Sequence, residues 1–157
     1  MKNDRFLWAI VAAIGLLAVA ALILFYLRQG TQEYSRENTP QAALRNYVLA
    51  LEKRDYRRAY DLLQDAPGKP DFERFRQDFI TRMIDPSNAA LSIRETIINE
   101  DQAVVDLVVI FAGGGPFSEA YRSVDSALLV RDESGSWKIA RLPYPFWGYD
   151  WYSPSRP

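Results

Sequence analysis

Residues Phe6 to Leu27 read FLWAIVAAIGLLAVAALILFYL, without one charged or strongly polar side chain. No other stretch of the chain restricts its folding so tightly. Wound as a helix, the run extends roughly 33 Å at about 1.5 Å per residue, enough to cross a hydrocarbon core of ~30 Å. Core helices of soluble proteins are rarely so long and so uniformly apolar, so the run reads as a transmembrane helix. Trp8 lies near one end, and Phe25 and Tyr26 lie near the other, where aromatic rings favour the interface. Ala18-Val19-Ala20 has the small-x-small pattern of a signal-peptide cleavage site. The apolar run continues past it through Leu22 to Leu27, whereas cleavage sites are followed by polar sequence. An uncleaved signal anchor is the expectation, and a secreted domain released by cleavage is the alternative.

Charge decides the expected orientation. Residues 1–5 form a short tail with Lys2, Arg5 and the free amine, whereas Arg28 and Arg36 beyond the helix are mixed with Glu33 and Glu37. The positive-inside rule counts Lys and Arg, which leaves the N-terminal tail cytoplasmic. The expected localisation is the cell membrane, single-pass, with the C-terminal domain extracytoplasmic. Residues 28–38 (RQGTQEYSREN) are polar and aperiodic and read as a linker.

Composition narrows the chemistry. The 157 residues hold 19 Lys+Arg against 20 Asp+Glu, a net charge of −1, which argues against nucleic acid as a partner. Cysteine is absent, which excludes disulfides, thiolate nucleophiles, Fe–S clusters and Cys-type zinc sites. Histidine is also absent, which excludes Ser-His-Asp triads and His metal sites. Neither a cofactor nor a metal is expected.

Beyond the linker, Thr39-Pro40 marks a helix start, an N-cap hydroxyl followed by proline at the first helical position. Ala43, Leu44, Tyr47, Val48 and Leu51 then share one helical face. Asp55 can cap a second, short helix carrying Tyr56, Ala59, Tyr60, Leu62 and Leu63, and Asp71 a third carrying Phe72, Phe75, Phe79, Ile80 and Met83. From there the period changes to two. Leu91, Ile93 and Ile97 mark a first strand, and 103–111 (AVVDLVVIF) a β-branched central one. Gly113-Gly114-Gly115-Pro116 breaks it as a turn; it lacks the Lys-Ser/Thr and the following helix of a phosphate loop. Residues 120–131 make a third strand, 132–136 a hairpin loop and 137–142 a fourth strand. The fold class expected is α+β: three helices on one face of an antiparallel sheet of about four strands.

Residues 39–63 (TPQAALRNYVLALEKRDYRRAYDLL) resemble the opening of small membrane-attached bacterial domains of the NTF2-like superfamily. The matching positions are Thr39, Pro40, Ala43, Tyr47, Leu51, Asp55, Tyr56, Ala59, Tyr60, Leu62 and Leu63. SGSWKIARL is similar to the superfamily's last strand, through Gly135, Trp137, Lys138 and Ile139. The resemblance covers about 39–142 and implies a cone, a curved sheet wrapped around helices and often enclosing a pocket. Relatives of this kind include isomerase-like and dehydratase-like enzymes, ligand-binding proteins, adaptors and extracytoplasmic domains attached to cell-wall enzymes. The lack of histidine departs from the dehydratase branch.

Asp106 interrupts an apolar strand and is a candidate general base, as is Asp125. On the alternative reading, alternation puts both on a solvated face, paired across strands with Arg94 or Arg122. Tyr47, Tyr60, Phe79, Phe111, Tyr121 and Trp137 are candidates to line a ligand pocket, or simply to fill a core. The tail 143–157 (PYPFWGYDWYSPSRP) carries Tyr144, Phe146, Trp147, Tyr149, Trp151 and Tyr152 among four prolines, which bar a regular helix or central strand. Three fates are open to it: packing back to plug the cone, docking a partner protein, or lying in the membrane interface.

The functional expectation is a single-pass, membrane-anchored extracytoplasmic domain, a non-catalytic binding or interaction module of the bacterial cell envelope. An envelope protein or a second copy of the chain is the expected partner. The alternative is a small-ligand carrier, or an isomerase- or dehydratase-like enzyme, using the cone cavity.

Overall fold

The computed structural model describes residues 3–28, 33–113 and 119–152, with the side chains of the first helix described over 8–24. It divides into two units, 1–33 and 34–157. The first unit is α1, Asn3–Arg28. Its described side chains are apolar on every side and, but for the half-buried Ala20, exposed, Leu16 and Trp8 among the most open. Among the described residues no helix is long and apolar enough to cross a membrane. The side chains at 8–24 cover about 26 Å at ~1.5 Å per residue, short of a ~30 Å core. Phe6, Leu7 and 25–27, which complete the expected span, have side chains outside the described residues, so the transmembrane helix expected there is not part of the observed fold.

The second unit is α+β, with helices against one face of an open, four-stranded antiparallel sheet in the order β1-β2-β3-β4. Its helices are α2 (Pro40–Glu52), α3 (Tyr56–Asp61) and α4 (Phe72–Ile80). Each starts at the cap that the sequence marks. Thr39 Oγ1 accepts from Ala42 N at 3.2 Å, Asp55 Oδ1 from Arg58 N at 3.2 Å and Asp71 Oδ1 from Arg74 N at 2.9 Å. Such caps satisfy helical N–H groups that have no partner within the helix. The single-turn 3₁₀ helix Pro86–Asn88 leads into the sheet. β1 is Ala89–Asn99, β2 Gln102–Phe111, β3 Tyr121–Arg131 and β4 Trp137–Arg141.

The register of the strands fixes which side chains face the helices. β2 pairs with β3 without a bulge, Leu107 opposite Asp125 and Asp106 opposite Ser126. Residues directly opposite share a face. Ala103, Val105, Leu107 and Val109 of β2 thus join Ala127 and Leu129 of β3 on the buried side. In β1 the register shifts between Ile93 and Thr96, which moves Ile97 to the outer face opposite Val104. β4 spans only part of β3, from Leu128 to Arg131, and its other edge is covered by the chain leaving α3. There Gln64 N donates to Ile139 O and Ile139 N to Leu62 O, both at 2.8 Å.

The aromatic tail closes the core. Phe146, Trp147 and Trp151 are buried, whereas Tyr144 and Tyr149 stay exposed and Tyr152 is half-buried. Tyr47, fully buried on α2, donates its hydroxyl to Phe146 O at 2.9 Å. Trp151 lies 5.2 Å from Phe75, ring centre to ring centre, and its Nε1 donates to Asp78 Oδ2 at 3.0 Å. The Tyr152 hydroxyl donates to Gln64 O, and Arg74 pairs with Asp150. Residues 143–152 thus take the first of the three fates. The last residues, 153–157, lie outside the described ones, as do residues 29–32 of the linker and Gly114, Gly115 and Pro116 of the glycine turn.

Gly148 is the tightest point of this packing. A Cβ built there would lie 2.4 Å from Trp151 Nε1. A Gly148→Ala substitution must displace the indole and is expected to cost about 1–3 kcal/mol, the usual penalty for overpacking a core. Urea unfolding of the two proteins measures it, and equal midpoints would remove Gly148 from this account.

Candidate functional site

α2 and α4 end beside one another, and each end turns through an arginine in the left-handed region, Arg54 at φ 57° and Arg82 at φ 60°. Glycine is the usual residue at such helix ends, because a Cβ is disfavoured there. Between these ends and the start of β1 lies a cleft of about 650 Å³. Val48, Leu51, Phe79, Ile84 and Phe146 supply apolar lining, and Glu52, Arg54, Arg82 and Asp85 bring charge to it. Asp85 caps the 3₁₀ turn, accepting from Ser87 N at 3.0 Å. Hydrogen bonds from Ser87 hold its carboxyl below the usual carboxylate range, outweighing the opposing effect of desolvation, and the nearby Arg82 charge adds a smaller contribution in the same direction. Among the described residues, neither Arg54 nor Arg82 has its guanidinium in an ion pair or side-chain hydrogen bond. An apolar hollow with charge at its edge suits a ligand or segment that has an apolar body and a polar end.

The candidate acids fall on opposite sides of the sheet. Asp106 is half-buried on the outer face. Asp125 is exposed on the helix side of the sheet, where its carboxylate accepts from Ser126 N at 2.7 Å. The expectation that both share the solvated face fails for Asp125. Among the described residues neither pairs with Arg94 or Arg122, and neither lines the cleft.

Of the aromatic pocket candidates, only Phe79 lines the cleft. Tyr47 is in the core, where burial pushes its phenol well above the ordinary value. Tyr60 donates to Pro70 O at 3.0 Å and stands 4.4 Å from the Lys69 ammonium. Burial lowers that ammonium's pKa, against the opposing charge of Asp65. Phe111 and Tyr121 meet each other at 5.9 Å at the far end of the sheet. Trp137 is buried beneath the Arg131 guanidinium, 4.6 Å from its ring. Sequence reasoning missed Arg54, Arg82 and Asp85, which mark helix ends. The only signal available was the charged residue following each apolar helical face.

The architecture is α+β: helices precede the strands and pack against one face of an antiparallel sheet in sequential order. No family model matches the chain, and no characterised protein matches it by sequence. Similar solved structures include a candidate calcium/calmodulin-dependent protein kinase type II association domain from Thiobacillus denitrificans, with TM-score 0.48 and 12% identity over 65% of this chain and 90% of that one. A candidate ketosteroid isomerase from Shewanella frigidimarina has TM-score 0.46 and 18% identity, over 62% of this chain and 87% of that one. A candidate NTF2-like transpeptidase from Campylobacter jejuni has TM-score 0.44 and 17% identity, over 66% of this chain and 99% of that one.

Proposed function

We propose that the chain is a single-pass, membrane-anchored binding module, displayed outside the cytoplasm, whose ligand or partner seats in the cleft between α2 and α4. The observation that carries this reading is the cleft itself, apolar with charge at its edge and separate from both candidate acids. Acid–base chemistry needs a carboxylate within reach of the reacting proton, and Asp106 and Asp125 are turned to opposite faces. The burial of Phe146, Trp147 and Trp151 in the core supports the cleft, rather than the centre of the tail, as the receptive surface. Support for the anchor is α1, a helix apolar on all sides with nearly all its described side chains open. A helix of that kind is at rest inside a larger protein core or a bilayer.

The test is native mass spectrometry of the full chain released gently from its own membranes. The wild type is expected to carry a reproducible additional mass, a small molecule or an envelope protein. Ala89 lines the cleft at the start of β1. Ala89→Phe, which fills it, is expected to lose that mass while keeping a cooperative melt. A mass retained in full by Ala89→Phe would falsify the cleft as the binding site.

A further inference from the structure

The chain enters the second unit beside a cluster of cations. Ser35 is clamped to α2 by two bonds, Ser35 N to Asn46 Oδ1 and Asn46 Nδ2 to Ser35 O, each 2.8 Å. The Tyr34 ring lies between the Arg58 guanidinium at 3.9 Å and the Lys53 ammonium at 4.9 Å, and its hydroxyl donates to Asp55 at 3.4 Å. The entry point is therefore fixed against residues 53–58 (KRDYRR), in which four cations accompany one carboxylate. That carboxylate, Asp55, is engaged in capping α3 and in pairing with Arg58 at 3.8 Å. Arg57 lies 4.6 Å from the Phe72 ring. Beside them is a shallow hollow lined by Asp55, Arg57, Arg58, Asp61, Leu62 and Lys138. Asp55 and Asp61 are the acidic groups in its lining, and the Lys138 ammonium donates to Asp61 O at 2.8 Å and stands 3.7 Å from the Asp132 carboxylate.

We infer that this face, Lys53, Arg57, Arg58 and Lys138, rests on the anionic headgroups of the membrane in which α1 is anchored. The inference depends on the anchor in the proposed function. Residues 29–33 are all the chain between the end of α1 and Tyr34, and the six steps from Arg28 to Tyr34 reach at most about 21 Å at ~3.5 Å each. With α1 in a bilayer, so short a tether lets the cluster come within a Debye length (~8 Å at physiological salt) of the surface, where headgroup charge is not screened. Each Lys or Arg near an anionic surface gains about 1 kcal/mol, so several together orient a small domain. Lipid phosphates fit the hollow because Arg57 and Arg58 bring guanidinium donors to it, while Lys138, held by Asp132 and Asp61 O, adds charge at its edge.

The chain has no cysteine, so single labels are clean. The full chain, with a fluorophore on Asp61→Cys beside the hollow or on Val124→Cys of the outer sheet face, is reconstituted in vesicles. One set is neutral phosphatidylcholine, and the other includes phosphatidylglycerol. Flotation is scored first, then quenching by a quencher attached to lipid headgroups. Expected is flotation with both sets and at least about twofold stronger quenching at position 61 in anionic vesicles, with position 124 unchanged. The difference should disappear at high salt and in both Arg57→Gln/Arg58→Gln and Arg57→Glu/Arg58→Glu. The Gln pair guards against misfolding by charge reversal. A chain that floats with both sets but is quenched equally overturns the inference alone. A chain that floats with neither overturns the anchor and the inference together.

Discussion

A chain ended after Leu142 is expected not to fold cooperatively. The tail looks like an appendage in sequence, yet Phe146, Trp147 and Trp151 sit in the core with Tyr47, Phe75 and Phe79. Burying a large apolar side chain contributes about 1.5–3 kcal/mol, so the three together contribute about 5–9 kcal/mol. That is comparable with the whole stability of an ordinary domain, about 5–15 kcal/mol. The loss reaches further than area. Trp147 and Trp151 meet at 5.1 Å, and Trp147 stacks on Tyr152 at 5.5 Å, so the tail's rings also hold one another. Without them the apolar sides of α2 and α4 face water. The measurement is thermal unfolding of the full and shortened chains in the same detergent, followed by far-UV circular dichroism. A sharp transition within a few degrees of the full chain would show that the tail is not part of the core. A single substitution grades the effect, since Phe146→Ala should cost about 3–5 kcal/mol.

The elements of this fold were legible because their local signals agree. Thr39-Pro40, Asp55 and Asp71 each combine a capping oxygen with an apolar face of helical period, and each starts a helix. The strands were legible through their β-branched runs and polar turns. What alternation does not decide is which of two apolar faces is buried. In β3, Val124, Leu128 and Val130 alternate with Ala127 and Leu129. The first set is the larger and reads as core, but Val124 is 76% exposed and Ala127 is sealed. The covering helices, not the strand's own composition, choose the face, and Asp125 goes with that choice. A bulge has the same effect in β1, where the extra residue at Arg94-Glu95 turns Ile97 outward.

The candidate site was less legible than the fold, for a related reason. Aromatic residues at helical or strand spacing can line a cavity or fill a core, and the fold buries Tyr47 and Trp137 in the core while Phe79 lines the cleft and Tyr121 stays exposed. The cleft forms where two helices stop, so its charged residues belong to helix ends rather than to any periodic pattern. Met83 shows how local the stop is. It continues the helical spacing of Phe75 and Phe79 in sequence, but the left-handed turn at Arg82 ends α4 and leaves Met83 72% exposed while Ile84 turns inward. Spacing alone carries no sign of that turn.

Tyr47→Phe should be less stable than the wild type by about 1–3 kcal/mol at neutral pH, and the gap should narrow in alkali. Among the described residues the phenol donates the one side-chain hydrogen bond that ties α2 to the tail, at Phe146 O. Phenylalanine fills the same space and leaves that carbonyl buried without the donor. The pH dependence follows from linkage. Burial raises the Tyr47 pKa well above the ordinary value in the folded protein, while the unfolded chain keeps a value near ~10. A group whose folded pKa is raised stabilises fully below the unfolded value and loses that contribution as pH climbs toward the folded one. Above about pH 10 the unfolded chain releases a proton that the folded one holds, so the wild type loses stability that Tyr47→Phe does not have to lose. Tyr60 and Tyr152, both also raised by burial, keep a shallower alkaline slope in the variant. Urea unfolding of both proteins from neutral pH to about pH 11 checks the sign directly. Parallel curves across that range would mean that Tyr47 ionises as readily in the fold as in the unfolded chain, and the hydroxyl would lose its place as the buried link between α2 and the tail.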